Sequence, residues 1–292
     1  MNPFVLGIVG DSGSGKSTLA DSVTVLLGRE RVTDVLLDDY HRFTREERAA
    51  RGVTALNPIV HNIPLIQEHL QLLRQGRPIR NRSYEHANGT FGSIRTIVPR
   101  EMVLVRGLLG FPTEELRSLY HLAIFVQPEP ELLFRWKLRR DVQLRGYTQA
   151  EVLKHIAHHL LDSKEFVLPQ ADRADLLVLH ELPHWEAPDS EIRTSLVLRR
   201  VIAELAQRED LFGSLPGIRF RVEGDEVHVE LGNDLVESQV DEWAAAWFPR
   251  TYSPDQVGSY IDQAGERVRR PQLAVLEVMV ARAAELLRAQ QQ

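Results

Sequence analysis

The chain has 292 residues, of which 43% are hydrophobic and 26% charged, and its formal net charge is −6. That is enough apolar material for a sizeable core, so a disordered chain is excluded, and the absence of cysteine excludes disulfides, thiolate metal sites and a cysteine nucleophile. An acidic balance without a basic tail argues against nucleic acid as a partner, because such binding needs clustered positive charge.

Along the chain, Phe4 to Val9 is a short apolar run before a glycine turn, the mark of a buried parallel strand. Ser17 to Leu27 has helical periodicity. Val32 to Leu37 reads as a second buried strand that ends in Asp38 and Asp39, and Ile63 to Gln75 as a helix stopped by Gly76. Thr96 to Pro99 reads as a short strand, Met102 to Val105 as a buried one, and Leu116 to His121 leads into a further strand, Leu122 to Val126. Pro128, Glu129, Pro130 and Glu131 open a long helix through about Leu144, since proline and acids suit a first helical turn. Thr148 and Glu151 have the spacing of a capping box, and Leu176 to Leu179 is one more strand. Strands alternating with helices at this spacing predict an α/β fold with a doubly wound, mostly parallel sheet of the P-loop type.

The character changes after about Leu182. Pro183 to Pro188 reads as a linker. Ile218 to Val222 and Val227 to Leu231 alternate around Gly224 and Asp225, as in a hairpin. A final helix, Pro271 to Arg288, carries Leu273, Leu276, Val280, Ala283 and Leu287 along one stripe. The expected organisation is a kinase-like domain over residues 1–182 and a small α+β extension over 183–292, either an appendage or a continuation of the sheet. No apolar stretch approaches the roughly 20 residues that a membrane span needs. The longest, Met102 to Phe111, is interrupted by Arg106. The apolar start feeds directly into the glycine turn, which is expected to leave no room for a cleavable signal. The expected location is the cytoplasm.

Gly10, Asp11, Ser12, Gly13, Ser14, Gly15, Lys16 and Ser17, followed by Thr18, match the phosphate-loop pattern between an apolar strand and a helix. Glycines let successive backbone N–H groups turn inward onto phosphate oxygens, and the helix adds its positive N-terminal dipole. Lys16 is expected to reach the β and γ phosphates of ATP, and Ser17 to ligate Mg²⁺. Asp38 and Asp39 end the second strand. Ligands of open α/β sheets bind outside the carboxyl ends of strands, so these carboxylates face the same cleft. His155 and His159, four residues apart, read as a solvated helix face, and Trp243 and Trp247 as core or interface.

Asp38 to Arg45 (Asp-Asp-Tyr-His-Arg-Phe-Thr-Arg), Gly52 to Pro58, Tyr84-Glu-His86 and Gly89-Thr90 resemble the phosphoribulokinase and uridine kinase family. Lys137 to Asp141 and Arg145-Gly146 are similar to its phosphoribulokinase branch. The resemblance spans about residues 4 to 180; the segment from Leu215 to Phe220 and the last helix are more faintly similar to the plant and cyanobacterial form. It implies that Asp38 takes the proton of the attacking sugar hydroxyl. It implies that His41, Arg45, Tyr84 and His86 grip a sugar phosphate, arginine by its bidentate fork. Lys137, Arg140, Asp141 and Arg145 fall at helical spacings, and the three cations would neutralise transferring phosphate, with Asp141 orienting them or assisting the base. Two departures stand out. The family's acid at the end of the strand over Met102 to Val105 is replaced by Arg106, which is expected to sit near the phosphates and weaken magnesium binding. The plant form's regulatory cysteines correspond to Ser14 and Leu36, which excludes thiol control through that pair.

The resulting expectation is an ATP- and Mg²⁺-dependent kinase of a small sugar phosphate, with ribulose 5-phosphate first among acceptors. Two other readings stay open: a kinase of uridine or another pentose or nucleoside, and a catalytically impaired nucleotide-binding regulator, supported by Arg106. A homodimer is compatible with each.

Overall fold

Strand β1 (Phe4–Gly10) is buried along its whole length. Phe4, Leu6 and Ile8 enter the core on one face of the sheet, and Val5 and Val9 the core on the other. A strand buried on both faces belongs inside a parallel sheet, and β1 lies there. The structure, a computed structural model, describes residues 2–144, 146–208, 211–212, 215–262 and 265–291, and at 144, 155, 207 and 208 the backbone only. In chain order β1 is followed by α1 (Lys16–Leu27), β2 (Val32–Leu36), α2 (Arg45–Arg51), α3 (Ile63–Arg74), β3 (Ile79–Glu85), β4 (Thr90–Ile97) and β5 (Met102–Gly107). Then come α4 (Glu114–Arg117), β6 (Leu122–Pro128), α5 (Pro130–Arg139), α6 (Gln149–Asp162) and β7 (Leu176–Glu181). The last part holds β8 (Arg193–Leu198), α7 (Arg200–Arg208), β9 (Ile218–Glu223), β10 (Glu226–Leu231), α8 (Glu237–Trp247), β11 (Ser259–Ile261), β12 (Arg267–Arg269) and α9 (Pro271–Ala289).

Among the described residues the main sheet has eight strands in the order β2-β5-β1-β6-β7-β8-β10-β9. The first five run parallel, giving the doubly wound α/β fold expected. β8 turns antiparallel to β7, and the β9–β10 hairpin joins through β10. The stretch after Leu182 therefore continues the sheet. Its segment over 183–192 is also more than a spacer: Asp189 in it is buried and accepts from Arg135 (3.2 Å) and Arg139 (2.8 Å) of α5. This braces the helix that carries Lys137.

Three expectations are corrected. The short strand at Thr96 is the end of β4, which pairs with β3 in a separate hairpin over the cleft. β6 runs on to Pro128, which pairs with His180 at the strand end, where its missing N–H is tolerated; α5 starts with Pro130 instead. That helix stops at Arg139, and Arg140–Leu144 forms a π-helical turn, a distortion frequent at functional sites. The capping box of Thr148 and Glu151 is present.

The final helix is buried nearly all round rather than along one stripe: Val275, Leu276, Val278, Met279, Val280 and Ala281 are all inside. It packs into the same core as Leu19, Val23 and Leu26 of α1 and Val240 and Ala244 of α8. Full burial of side chains of this size contributes roughly 1.5–3 kcal/mol each, so this helix is a main support of α1 and hence of the loop before it. Among the described residues no helix is long and apolar enough to cross a membrane.

Candidate active site

The carboxyl ends of β1, β2, β6 and β7 open onto one cleft of about 760 Å³, walled by the phosphate loop, Asp38, His41, Tyr84, His86 and the α5 residues Trp136, Lys137 and Arg140. The loop between β1 and α1 needs glycine at two places. Gly13 has φ 83° and Gly15 φ 90°, left-handed values that side chains rarely adopt. A Cβ on Gly13 would also stand 2.9 Å from Lys137 Cγ, so α5 can close on the loop only because that atom is absent. Of the remaining sequence-identified loop residues, Gly10 ends β1, Asp11, Ser12 and Ser14 lie in the same turn, and Lys16, Ser17 and Thr18 in the first turn of α1.

Asp11 is the hub of this end. It is buried and accepts from Lys137 Nζ at 2.9 Å and from Ser163 Oγ, while its carbonyl accepts from Lys16 Nζ at 3.0 Å. Burial opposes its charge, but Lys137 and Ser163 hold the carboxyl below its ordinary value. Burial pushes the Lys16 ammonium down to about 8, against the pull of Asp38 and Asp11. Arg140 donates from Nε to Asp141 (2.8 Å) and from Nη1 to Ser12 Oγ (3.2 Å). Lys137, Arg140 and Asp141 thus lie together beside the phosphate loop, although the helix changes type between them. Arg145 lies outside the described residues.

Asp38, in the turn after β2, forms the second end. Its Oδ2 is 3.1 Å from His86 Nε2. Burial opposes its charge, but the His86 hydrogen bond and the Lys16 charge keep the carboxyl well below the usual range. Oδ1 of Asp38 and both ring nitrogens of His41 are buried with no hydrogen-bond partner. Burial holds His41 down at about 3, so the ring is neutral and can donate one hydrogen bond but carries no charge to a phosphate. Its ring meets that of Tyr84 edge-on, with centroids 4.6 Å apart. Arg45 is exposed at the mouth and donates to the His86 carbonyl. Asp39 points the other way: it accepts from the Tyr84 N–H (2.8 Å) and from Arg95 (2.6 Å), so it pins the β3–β4 hairpin.

Sequence reasoning missed several cleft residues. Arg48 is buried and donates to the Tyr84 hydroxyl at 2.9 Å; its signal was the capping box of Thr44 and Glu47, which turns α2 so that this arginine faces inward. Behind the cleft wall, the ring of buried His61 meets that of His41 at a tilt, with centroids 4.8 Å apart. Trp136, Tyr260, Arg270 and Glu277 also line the cleft. His159 lines it too, whereas the side chain of His155 lies outside the described residues.

Arg106 is corrected. Its guanidinium donates to both oxygens of Asp34 (3.1 and 2.7 Å) and to Asp21 (2.9 Å), and it is not among the residues lining the cleft. The charge that was expected against the phosphates is taken up by two carboxylates on β2 and α1. Among the described residues no three histidine or acidic side chains converge as a metal cage. What the cleft offers a magnesium ion is the Ser17 hydroxyl and the unpartnered Oδ1 of Asp38. That set fits an ion that keeps several waters and takes its other ligands from substrate phosphates.

The sequence model of the phosphoribulokinase / uridine kinase family matches residues 5–185. A phosphoribulokinase of Synechocystis is 34% identical over 187 residues, 64% of this chain and 56% of the relative. A uridine kinase of Deinococcus deserti is 30% identical over 203 residues, 67% of this chain and 98% of the relative. The chain spans about half the length of the phosphoribulokinases it matches. Among solved structures, a phosphoribulokinase from Rhodobacter spheroides superposes with a TM-score of 0.61 at 18% identity, covering 86% of this chain and 97% of that one; this likeness concerns the fold.

Proposed function

The chain belongs to the phosphoribulokinase / uridine kinase family, and from that premise we propose that it transfers the γ-phosphoryl group of ATP to a hydroxyl of a sugar phosphate, converting ribulose 5-phosphate to ribulose 1,5-bisphosphate. The observation that carries this reading is the pair of unpartnered buried groups, Asp38 Oδ1 and the His41 imidazole, on the wall facing the phosphate loop. A hydroxyl seated between them gives its proton to Asp38 as its oxygen bonds phosphorus and the bond to the ADP oxygen breaks. Such a transition state is loose, so positioning and charge neutralisation dominate over the strength of the base. Lys16, Lys137 and Arg140 supply that neutralisation. A bound magnesium ion would add charge neutralisation, with Ser17 as the residue that would hold it. Arg45, Arg48, Tyr84 and His86 surround the acceptor end, with Arg45 and Arg48 meeting its phosphate; Arg145 would add a further cation. The same reading makes this a cytoplasmic enzyme of small molecules, with neither nucleic acid nor a membrane as partner, compatible with a homodimer.

A uridine kinase activity is the second reading, favoured by the relative that is matched over nearly its full length. The two arginines at the acceptor end weigh against it, since a neutral nucleoside has no use for that charge. A coupled assay of ADP release with ribulose 5-phosphate, uridine and unphosphorylated ribulose decides. Turnover is expected to be fastest on ribulose 5-phosphate; faster turnover on uridine overturns the proposal.

A further inference from the structure

The strand order fixes which way a nucleotide must lie. Asp38 follows β2, on one side of β1 and its phosphate loop; β7 and β8 lie on the other side. If the γ-phosphate faces Asp38, the nucleoside extends toward β7 and β8. That end of the cleft is walled by Trp136, His180, Ile192, Tyr260 and Arg270. Three of these, Ile192, Tyr260 and Arg270, lie beyond the part of the chain that the family model matches.

Arg270 is 5% exposed. Its backbone N–H caps onto Gly258 at 2.8 Å and its Nη2 donates to the Ile192 carbonyl, but its Nε has no partner. Trp136 repeats the pattern. Its ring lies over the phosphate loop, 3.7 Å from where a Cβ on Gly15 would be, and its buried Nε1 has no partner either. The ring of His180 stands at an angle to the indole, with centroids 5.8 Å apart, and its Nδ1 is engaged with Thr194 Oγ1 at 3.1 Å. Buried donors without acceptors are uncommon. Two of them beside one aromatic wall call for a flat ligand with an acceptor-bearing edge.

We propose that the C-terminal segment completes the nucleoside end of the cleft, and that Arg270, with Trp136, is the determinant that selects a purine base by its acceptor edge. The inference rests on the phosphotransfer reading for the direction of the triphosphate. A purine presents N7 on the edge away from its sugar and has the larger face to lay against the indole; a pyrimidine carries its acceptors as ring carbonyls, at other positions and on a smaller face. Burial and the Arg270 charge hold His180 down at about 3, so that ring stays a neutral wall beside the base.

The test is equilibrium binding to the full chain, which needs no acceptor and so separates this inference from the choice of acceptor. ATP, UTP, CTP and inorganic tripolyphosphate are titrated calorimetrically. The intact protein is expected to bind ATP at least tenfold more tightly than the other three. Arg270→Met is expected to weaken ATP about tenfold and leave tripolyphosphate unchanged, and Trp136→Phe, which keeps a ring but removes the donor, to weaken ATP several-fold. If Arg270→Met does not fold by circular dichroism, Trp136→Phe decides alone. ATP affinity within twofold of the intact protein in the folded variants overturns the proposal. An equal loss for ATP and tripolyphosphate also overturns it, because Arg270 would then be a phosphate ligand. Loss of tripolyphosphate binding in Lys16→Ala tests the phosphate loop separately.

Discussion

The two ends of the cleft follow opposite plans. Around the phosphate loop the cations already have protein partners: Lys16 on the Asp11 carbonyl, Lys137 on its carboxylate, Arg140 on Ser12 and Asp141. At the acceptor end, Asp38 Oδ1 and both nitrogens of His41 are buried with none. The first plan fixes cations in place before any ligand arrives, at the cost of acids that compete with it. The second leaves hydrogen-bonding capacity unmet, about 1–3 kcal/mol per group, until a ligand meets it. Orientation of the nucleotide is therefore a property of the empty protein, and recognition of the acceptor a property of the complex.

The sharpest way to break this contrast is Asp38→Asn. Turnover is expected to fall about 10² to 10⁴-fold, the usual contribution of a positioned base, while ATP affinity changes little. Steady-state rates beside a calorimetric ATP titration check it, and near-normal turnover would remove Asp38 from the chemistry.

The next test concerns the prepared end. Lys16 sits at about 8 in the free protein, and bound phosphate raises that value. Nucleotide binding should then take up a proton above pH 8 and weaken as pH rises, by up to tenfold per unit. Below about pH 7 the lysine is already charged and the slope vanishes. Titrations at pH 7, 8 and 9 in buffers of different ionisation heat report both quantities. A flat affinity, or a slope that survives in Lys16→Ala, would assign the proton elsewhere.

The smallest effect is expected from Arg106→Glu, which touches neither end. It sets a third carboxylate beside Asp21 and Asp34. Partly exposed pairs of this kind contribute about 0–1 kcal/mol each, so the melting temperature should drop by roughly 2–4 °C per kcal/mol lost in a chain of this size. The magnesium dependence of turnover should stay as it was. Tighter magnesium binding with faster turnover would return the position to the cleft.

How far the sequence could be read follows from how local each signal is. β1, β5, β6 and β7 announce themselves as apolar runs because they are buried on both faces. β3 hides, since Ile79–Glu85 is mostly polar and gains its place only by pairing with β4 and by Asp39 reaching Tyr84. β8 was masked by the prolines before it. At the site, the phosphate loop is legible because its chemistry is carried by consecutive residues. The bond from Lys137 to Asp11 joins residues 126 apart, and no spacing rule reaches that far. Arg106 misled for the same reason: its two carboxylates lie 72 and 85 residues away. A charged residue at the end of an apolar strand called for partners, and exposed Asp34 on the edge strand β2 was the clue available.

The placement of α9 has a consequence for how this protein is made. α1, which carries Lys16, is covered by a helix that ends at Ala289. At a synthesis rate of about 5–20 residues per second, the first strand and its loop wait tens of seconds on the ribosome for their cover. During that interval Leu19, Val23 and Leu26 of α1 have the sheet residues Phe4, Leu6 and Leu104 to pack on, but not α9. The phosphate loop thus gains its full support only once α9 has been made, long after the loop itself.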